Sequence, residues 1–166
     1  MSPKNSPALS MLDWDEREGV LRAERQRKVG ELVLSREPLT GLAPFLAMLE
    51  VLAERQETRA ITLIYGVTRD QDLVMLEALH GFAQRLPNLT VVTCVADPQT
   101  RHPRQGYVTQ HMPAAALYGG DVDVYLCGPP PMVDAVREHF KHQGVSPASF
   151  HYEKFTPNAI VTGDAA

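Results

Sequence analysis

Hydrophobic and polar positions fall into two alternating rhythms from residue 29 onward. Val29, Leu32, Val33 and Leu34 make a short apolar stretch that runs into the polar turn Ser35 to Gly41, the signature of a short strand. Leu42, Phe45, Leu46, Leu49 and Leu52 then recur at helical spacing, and Pro44 is compatible with a helix only because it falls in the first turn. Ala60 to Gly66 is a continuous apolar run of the kind a strand buried on both faces shows. Leu73, Leu76, Leu79 and Phe82 form a second helical stripe, with Asp70 or Asp72 as its expected cap and Pro87-Asn88 as its stop. Leu89 to Val95 reads as a further strand and Asp97 to Gln105 as a polar loop. Gly106 to Leu117 reads as a helical segment interrupted at Pro113. Val122 to Gly128 is a strand leading into three prolines, and Met132, Val133, Val136 and Phe140 continue as a helix to Gly144. Phe150 to Phe155 is a last extended piece. Strands alternating with helices of this length predict an α/β fold, a doubly wound, mainly parallel sheet of about five strands covered on both faces.

The first 28 residues break this rhythm, with Pro3, Pro7 and then a charge-dense stretch from Asp13 to Lys28 around the single tryptophan, Trp14. The expected organisation is an irregular charged lead-in at 1–28, one folded unit at 29–157 and a flexible tail at 158–166. With 166 residues, 44% hydrophobic and 22% charged, the chain suits a single globular unit and excludes collagen-like, coiled-coil and wholly disordered classes. A net charge of -4 lacks the basic surplus that nucleic-acid binding exploits, so no nucleic-acid partner is expected. No apolar run approaches a membrane span and Met1 to Ser10 does not read as a signal peptide, so no membrane partner and a cytoplasmic location are expected. Cys94 and Cys127 form no CxxC pair, and His80, His102, His111, His139, His142 and His151 show no ligand spacing, so neither an iron–sulfur cluster nor a metal site is expected.

In an open parallel sheet, ligands bind where strands end and helices begin, because backbone N–H groups there attract anionic groups. Two strand ends fit. At Thr40-Gly41-Leu42-Ala43-Pro44-Phe45, the glycine lets the backbone approach a phosphate at a helix start. At Cys127-Gly128-Pro129-Pro130-Pro131-Met132, the glycine opens space and the prolines stiffen the turn into a helix.

Thr40 to Leu46, Tyr65-Gly66, Asp72-Leu73, Gly106-Tyr107-Val108, Cys127 to Met132 and Tyr152-Glu153-Lys154-Phe155, in this order, resemble the nicotinamide-nucleotide domain of ferredoxin–NADP reductase-like flavoproteins. Within that family the chain is most similar to the reductase components of benzoate, toluate and anthranilate dioxygenases, over roughly residues 32–157. The resemblance implies a chain of electron transfer from NADH through FAD and a 2Fe-2S cluster to an oxygenase in aromatic compound catabolism. It also implies that Cys127 lies beside the nicotinamide ring, that Gly128 and Pro129 line the same mouth, and that Glu153 and Phe155 stand at the nicotinamide–flavin junction. Thr40, Gly41, Tyr65, Gly66, Asp72 and Met132 complete the implied cofactor-binding set, with Cys127 and Glu153 in the catalytic position. The chain departs from the family in its first loop, where Pro38-Leu39-Thr40-Gly41 stands in place of Gly-Gly-Thr-Gly, and in carrying neither the flavin motif nor the cluster cysteines.

Each of these residues also has a structural reading. Thr40 and Gly41 can cap a helix, Tyr65 can be core, Cys127 a buried thiol, and Asp72 a helix cap instead of an adenosine contact. Arg69 is either the holder of a 2′-phosphate or a solvated loop arginine, and Glu153 and Phe155 are either junction residues or a closing strand. Two functions are therefore expected. One is an NADH-binding module that positions the cofactor for hydride transfer to FAD on a separate flavin or ferredoxin module serving an oxygenase. The other is a truncated, non-enzymatic remnant with weak or no nucleotide binding. Hydrolase and receiver folds are not supported, since the chain has no Gly-x-Ser-x-Gly elbow and no Gly-x-x-x-x-Gly-Lys loop.

Overall fold

An apolar run with no polar face has to be covered on both sides, and Ala60–Val67 is covered in this way: Ile61 to Val67 are all buried. The computed structural model describes residues 30–35 and 42–154. Its strands are β1 (Gly30–Ser35), β2 (Ala60–Val67), β3 (Leu89–Val95), β4 (Val122–Gly128) and β5 (Ser149–Lys154), and its helices are α1 (Ala43–Glu54), α2 (Leu76–Arg85) and α3 (Pro130–His142). The strands form one sheet in the order β3-β2-β1-β4-β5, and every pairing is parallel. Such pairing requires a crossover between successive strands, and α1, α2 and α3 supply three of the four. The fourth, from β3 to β4, runs through two 3-10 stretches, Val108–His111 and Ala114–Gly120, on either side of Met112 and Pro113.

One core lies on each face. Phe45, Leu49 and Leu52 of α1 and Leu79 of α2 pack with Leu63, Tyr65, Tyr125 and Cys127. Val133, Val136 and Phe140 of α3, with Val108 and Leu117, pack with Ile64, Cys94, Val124 and Leu126. The strand side chains thus alternate between two dry faces, which is why period two is invisible in their sequence.

Two features differ from expectation. The polar segment after β2 does not cap α2: Asp70–Asp72 is its own 3-10 turn, Asp72 accepts a hydrogen bond from the Arg69 N–H at 3.1 Å, and α2 starts only after Met75, whose φ is +61°. The segment after Gly106 forms no α-helix either, because Tyr118 and Gly119 adopt positive φ and Pro113 interrupts the backbone ladder. Among the described residues, no helix is long and apolar enough to cross a membrane.

Candidate functional site

Parallel registry aligns the carboxyl ends of the strands. Ser35 of β1 pairs with Tyr65 of β2 and Cys127 of β4, and Cys127 pairs in turn with Glu153 of β5. One residue further on, Gly66 pairs with Cys94 and Gly128 with Lys154. Because successive side chains point to opposite faces, the expected site residues are divided by the sheet.

On the α1 and α2 face, Tyr65 is fully buried and takes its structural role. Its hydroxyl donates to the Asp72 carbonyl at 3.0 Å and accepts from the Val74 N–H at 3.5 Å, so it pins the turn that follows β2. Cys127 is 1% exposed on the same face. Asp72 is likewise occupied within its own turn, where its carboxylate holds the Arg69 backbone.

On the α3 face, a pocket of about 270 Å³ opens at the ends of β2 and β3. Gly66 and Val67 form its floor, Ala96 one side, Gly106, Tyr107, Val108 and Thr109 a second, and Pro131, Met132 and Ala135 from the first turns of α3 the third. Glycine is needed at the floor: a Cβ on Gly66 would lie 2.8 Å from Val108 Cγ1 and 3.1 Å from Cys94 Sγ. Gly128 has a similar function, since a Cβ there would run into Met132 Sδ. The walls are mainly apolar, and Tyr107 is 56% exposed at the rim. Burial pushes the Cys94 thiol beneath the floor up to about 11, against the opposing charge of Arg104, so it is an inert protonated core group at neutral pH.

The loop between β3 and this wall is tied by both backbone and side-chain hydrogen bonds. Gly106 N–H donates to the Val95 carbonyl at 2.8 Å, and Val95 N–H to the Arg104 carbonyl at 3.0 Å. His102 Nδ1 lies 3.0 Å from the Arg104 N and 3.1 Å from its carbonyl oxygen, and its Nε2 lies 3.0 Å from Thr93 Oγ1, so the ring bridges the loop to β3. Thr100 Oγ1 donates to Asp70 Oδ1 at 2.6 Å and joins this loop to the turn after β2.

The two helix starts differ chemically. α3 has Pro129 at its N-cap and Pro130 and Pro131 in its first turn, so three N–H donors are missing and the surface it gives the pocket is dry. Among the described residues, α1 has Leu42 at its N-cap, no side-chain cap and no acidic residue in its first turn, so none of them sets an anion at its positive end. An anionic group is therefore favoured at α1 and a flat, weakly polar one beside α3.

Of the residues expected from sequence, Gly66 and Met132 line the pocket and Gly128 packs behind Met132. Pro129 caps α3 at the same mouth. Tyr65, Cys127 and Asp72 do not line it. Glu153 is located by its backbone alone, as the register partner of Cys127. Thr40, Gly41 and Phe155, with the altered Pro38-Leu39 pair, lie outside the described residues. Tyr107 and Pro131, which stand inside the sequence motifs without an expected role of their own, also line it, and an aromatic after a glycine in a polar loop is itself a signal of a binding surface. Among the described residues, no group of His, Cys, Asp and Glu is placed to hold a metal ion.

Residues 39–138 match the model of the oxidoreductase NAD-binding domain. The toluate 1,2-dioxygenase electron transfer component of Pseudomonas putida is 53% identical over 120 residues, which cover 72% of this chain and 36% of that protein. The 2-halobenzoate 1,2-dioxygenase electron transfer component of Burkholderia cepacia is 46% identical over 120 residues, covering 71% and 35%. The chain thus spans about a third of the length of these curated relatives. Among solved structures, the Amycolatopsis cytochrome P450 reductase GcoB superposes with a TM-score of 0.65 at 30% identity, over 78% of this chain and 38% of that one. A short second match, of residues 10–39 to the connector region of the ATP-dependent RNA helicase HrpB, falls mostly outside the described residues.

Proposed function

The chain belongs to the oxidoreductase NAD-binding domain family, and from that premise we propose that it is the NADH-binding module of an electron-transfer component serving an aromatic-ring dioxygenase. The observation that carries this reading is the pocket between Tyr107 and Met132, which is apolar, open at the rim and set on glycine at the end of a parallel strand. Its shape and lining suit a flat heteroaromatic ring, and the positive start of α1 suits the pyrophosphate. The nicotinamide half is assigned to the end of β4, beside Cys127 and the backbone of Glu153. Bound in this way, NADH would supply a hydride to FAD held by a flavin-binding module. This chain's own residues orient the dinucleotide and keep water from it, and the reading asks no general acid or base of them.

The non-enzymatic remnant is favoured by one feature, the replacement of two family glycines by Pro38 and Leu39. Calorimetric titration of the full chain with NADH separates the two readings. Saturable binding that Tyr107→Ala weakens by about fivefold or more supports the module, since stacking on one aromatic contributes about 1 kcal/mol. Absence of any binding heat at millimolar NADH would assign the chain to the remnant.

A further inference from the structure

The far end of α3 carries a second concave surface, separate from the pocket at its first turns. Arg137, Phe140 and Lys141 of the helix, with Val145, Pro147 and Phe150 from the chain that follows, enclose a hollow of about 470 Å³, within the size range of small-molecule sites. The turn that closes it is pinned: Val145 N–H donates to the Phe140 carbonyl at 3.1 Å, and Ala148 N–H to the Gly120 and Val122 carbonyls at 2.9 and 3.0 Å. Phe140 and Phe150 meet edge to face, with centroids 6.4 Å apart at 86°. Above them, Arg137 Cζ lies 4.6 Å from the centroid of the Tyr152 ring and 5.5 Å from that of Phe150. A cation over a ring is attracted to it without spending an N–H on an acceptor. Among the described residues, none accepts a hydrogen bond from this guanidinium. Lys141, one turn on and 78% exposed, reaches Glu138 only at 3.9 Å, and that carboxylate also lies 3.1 Å from His142 Nε2. Two cations at i and i+4 repel one another, so the hollow they line favours an anion.

We propose that this hollow is a binding site for an aromatic carboxylate. The guanidinium presents a planar fork that matches a carboxylate with two parallel hydrogen bonds, and Lys141 adds a second positive charge. The ligand's ring takes the apolar space, where Phe140 and Phe150 supply aromatic surface and Val145 and Pro147 aliphatic surface. The two rings under Arg137 hold it in place before a ligand arrives, which lowers the ordering cost of binding. The hollow shares no lining residue with the nucleotide pocket, so the proposal stands or falls apart from the reading of that pocket.

The test titrates the full chain with benzoate and follows amide NMR shifts, with acetate as the charge without the ring and benzyl alcohol as the ring without the charge. Benzoate is expected to bind saturably and to move the amides of Lys141, Gly144, Val145 and Phe150, and each comparator to bind about tenfold more weakly or worse. Arg137→Gln should weaken benzoate by about tenfold or more, the loss of a charge-assisted pair of bonds. Arg137→Lys, which keeps the charge without the fork, should fall between that variant and the parent. Lys141→Gln, a change at an exposed side chain that leaves the fold alone, should weaken benzoate by about threefold. Acetate binding as tightly as benzoate would reduce the hollow to an anion patch, and benzyl alcohol doing so would reduce it to an apolar one; either overturns the proposal. So would the absence of saturable shifts with benzoate, shifts centred on Gly66 and Met132 instead of the end of α3, or parent affinity in both Arg137→Gln and Lys141→Gln.

Discussion

Gln56 and Gly144 occupy the same place after two different helices. At the end of α1, Gln56 N–H donates to the Ala53 carbonyl and Glu57 N–H to that of Leu52; after α3, Gly144 and Val145 bond Lys141 and Phe140 in the same pattern. Both C′ residues have positive φ, 52° at Gln56 and 65° at Gly144, and glutamine is strained there. Gln56→Gly is expected to stabilise the fold by about 0.5–1 kcal/mol in urea melts, the relief of that strain exceeding the entropy glycine brings. Beside it, burial pushes the Glu57 carboxyl up, but hydrogen bonds from the Arg59 guanidinium, the Arg59 and Thr58 N–H groups, and the Arg59 charge outweigh this and hold it at about 2. The folded value lies below the unfolded one, so the stability is complete above about pH 4.5 and is lost as pH falls toward 2. Glu57→Gln should therefore cost about 2 kcal/mol at pH 7, and denaturant midpoints of parent and variant should converge between pH 4.5 and 2. The stop at Gly144 was legible in the sequence because glycine marks it. The stop at Gln56 was not, because hydrogen bonds and tertiary context force an ordinary residue into the same conformation.

Elements were legible where one physical signal dominated. β3 is expected at Leu89 to Val95 and lies there, and the prolines at the start of α3 mark where it begins. Legibility failed where side-chain hydrogen bonds compete with helix formation. Asp70 and Asp72 read as caps because acidic residues favour that role, yet Asp72 closes its own turn and Asp70 takes the bond from Thr100 on another loop. The same limit hid part of the site. Runs buried on both faces carry too few polar positions to mark their phase, and Thr62 and Asp123 are themselves buried, so the sequence did not reveal that Tyr65 and Cys127 point away from Gly66, Gly128 and Met132. The phase has a measurable consequence at β2. Gly66→Ala would put a methyl group 2.8 Å from the stiff, buried Val108 and drive that residue into the pocket. The expected outcome is a loss of about 1–3 kcal/mol in stability, with weaker NADH binding by calorimetry, whereas Gly81→Ala, on the open side of α2, should leave binding unchanged.

At the scale of the molecule, the proposed hydride donor and acceptor must approach to about 3–3.5 Å, and one nucleotide domain cannot hold two large cofactors in that geometry. The chain alone is therefore expected to leave NADH unoxidised, and NADH-dependent dye reduction should appear when an FAD-loaded barrel from a related reductase is added. Rapid oxidation by flavin-free chain would contradict the assignment. The strand order has a consequence for the birth of the molecule. Of the described strands, the earliest made is the middle one, with β2 and then β3 added outward on one side and β4 and then β5 on the other. Each of the four strands that follow thus meets an edge already waiting for it, and no finished pairing has to reopen. Omitting the last strand would leave four neighbours in register, but omitting the first would leave two separate pairs with nothing between them.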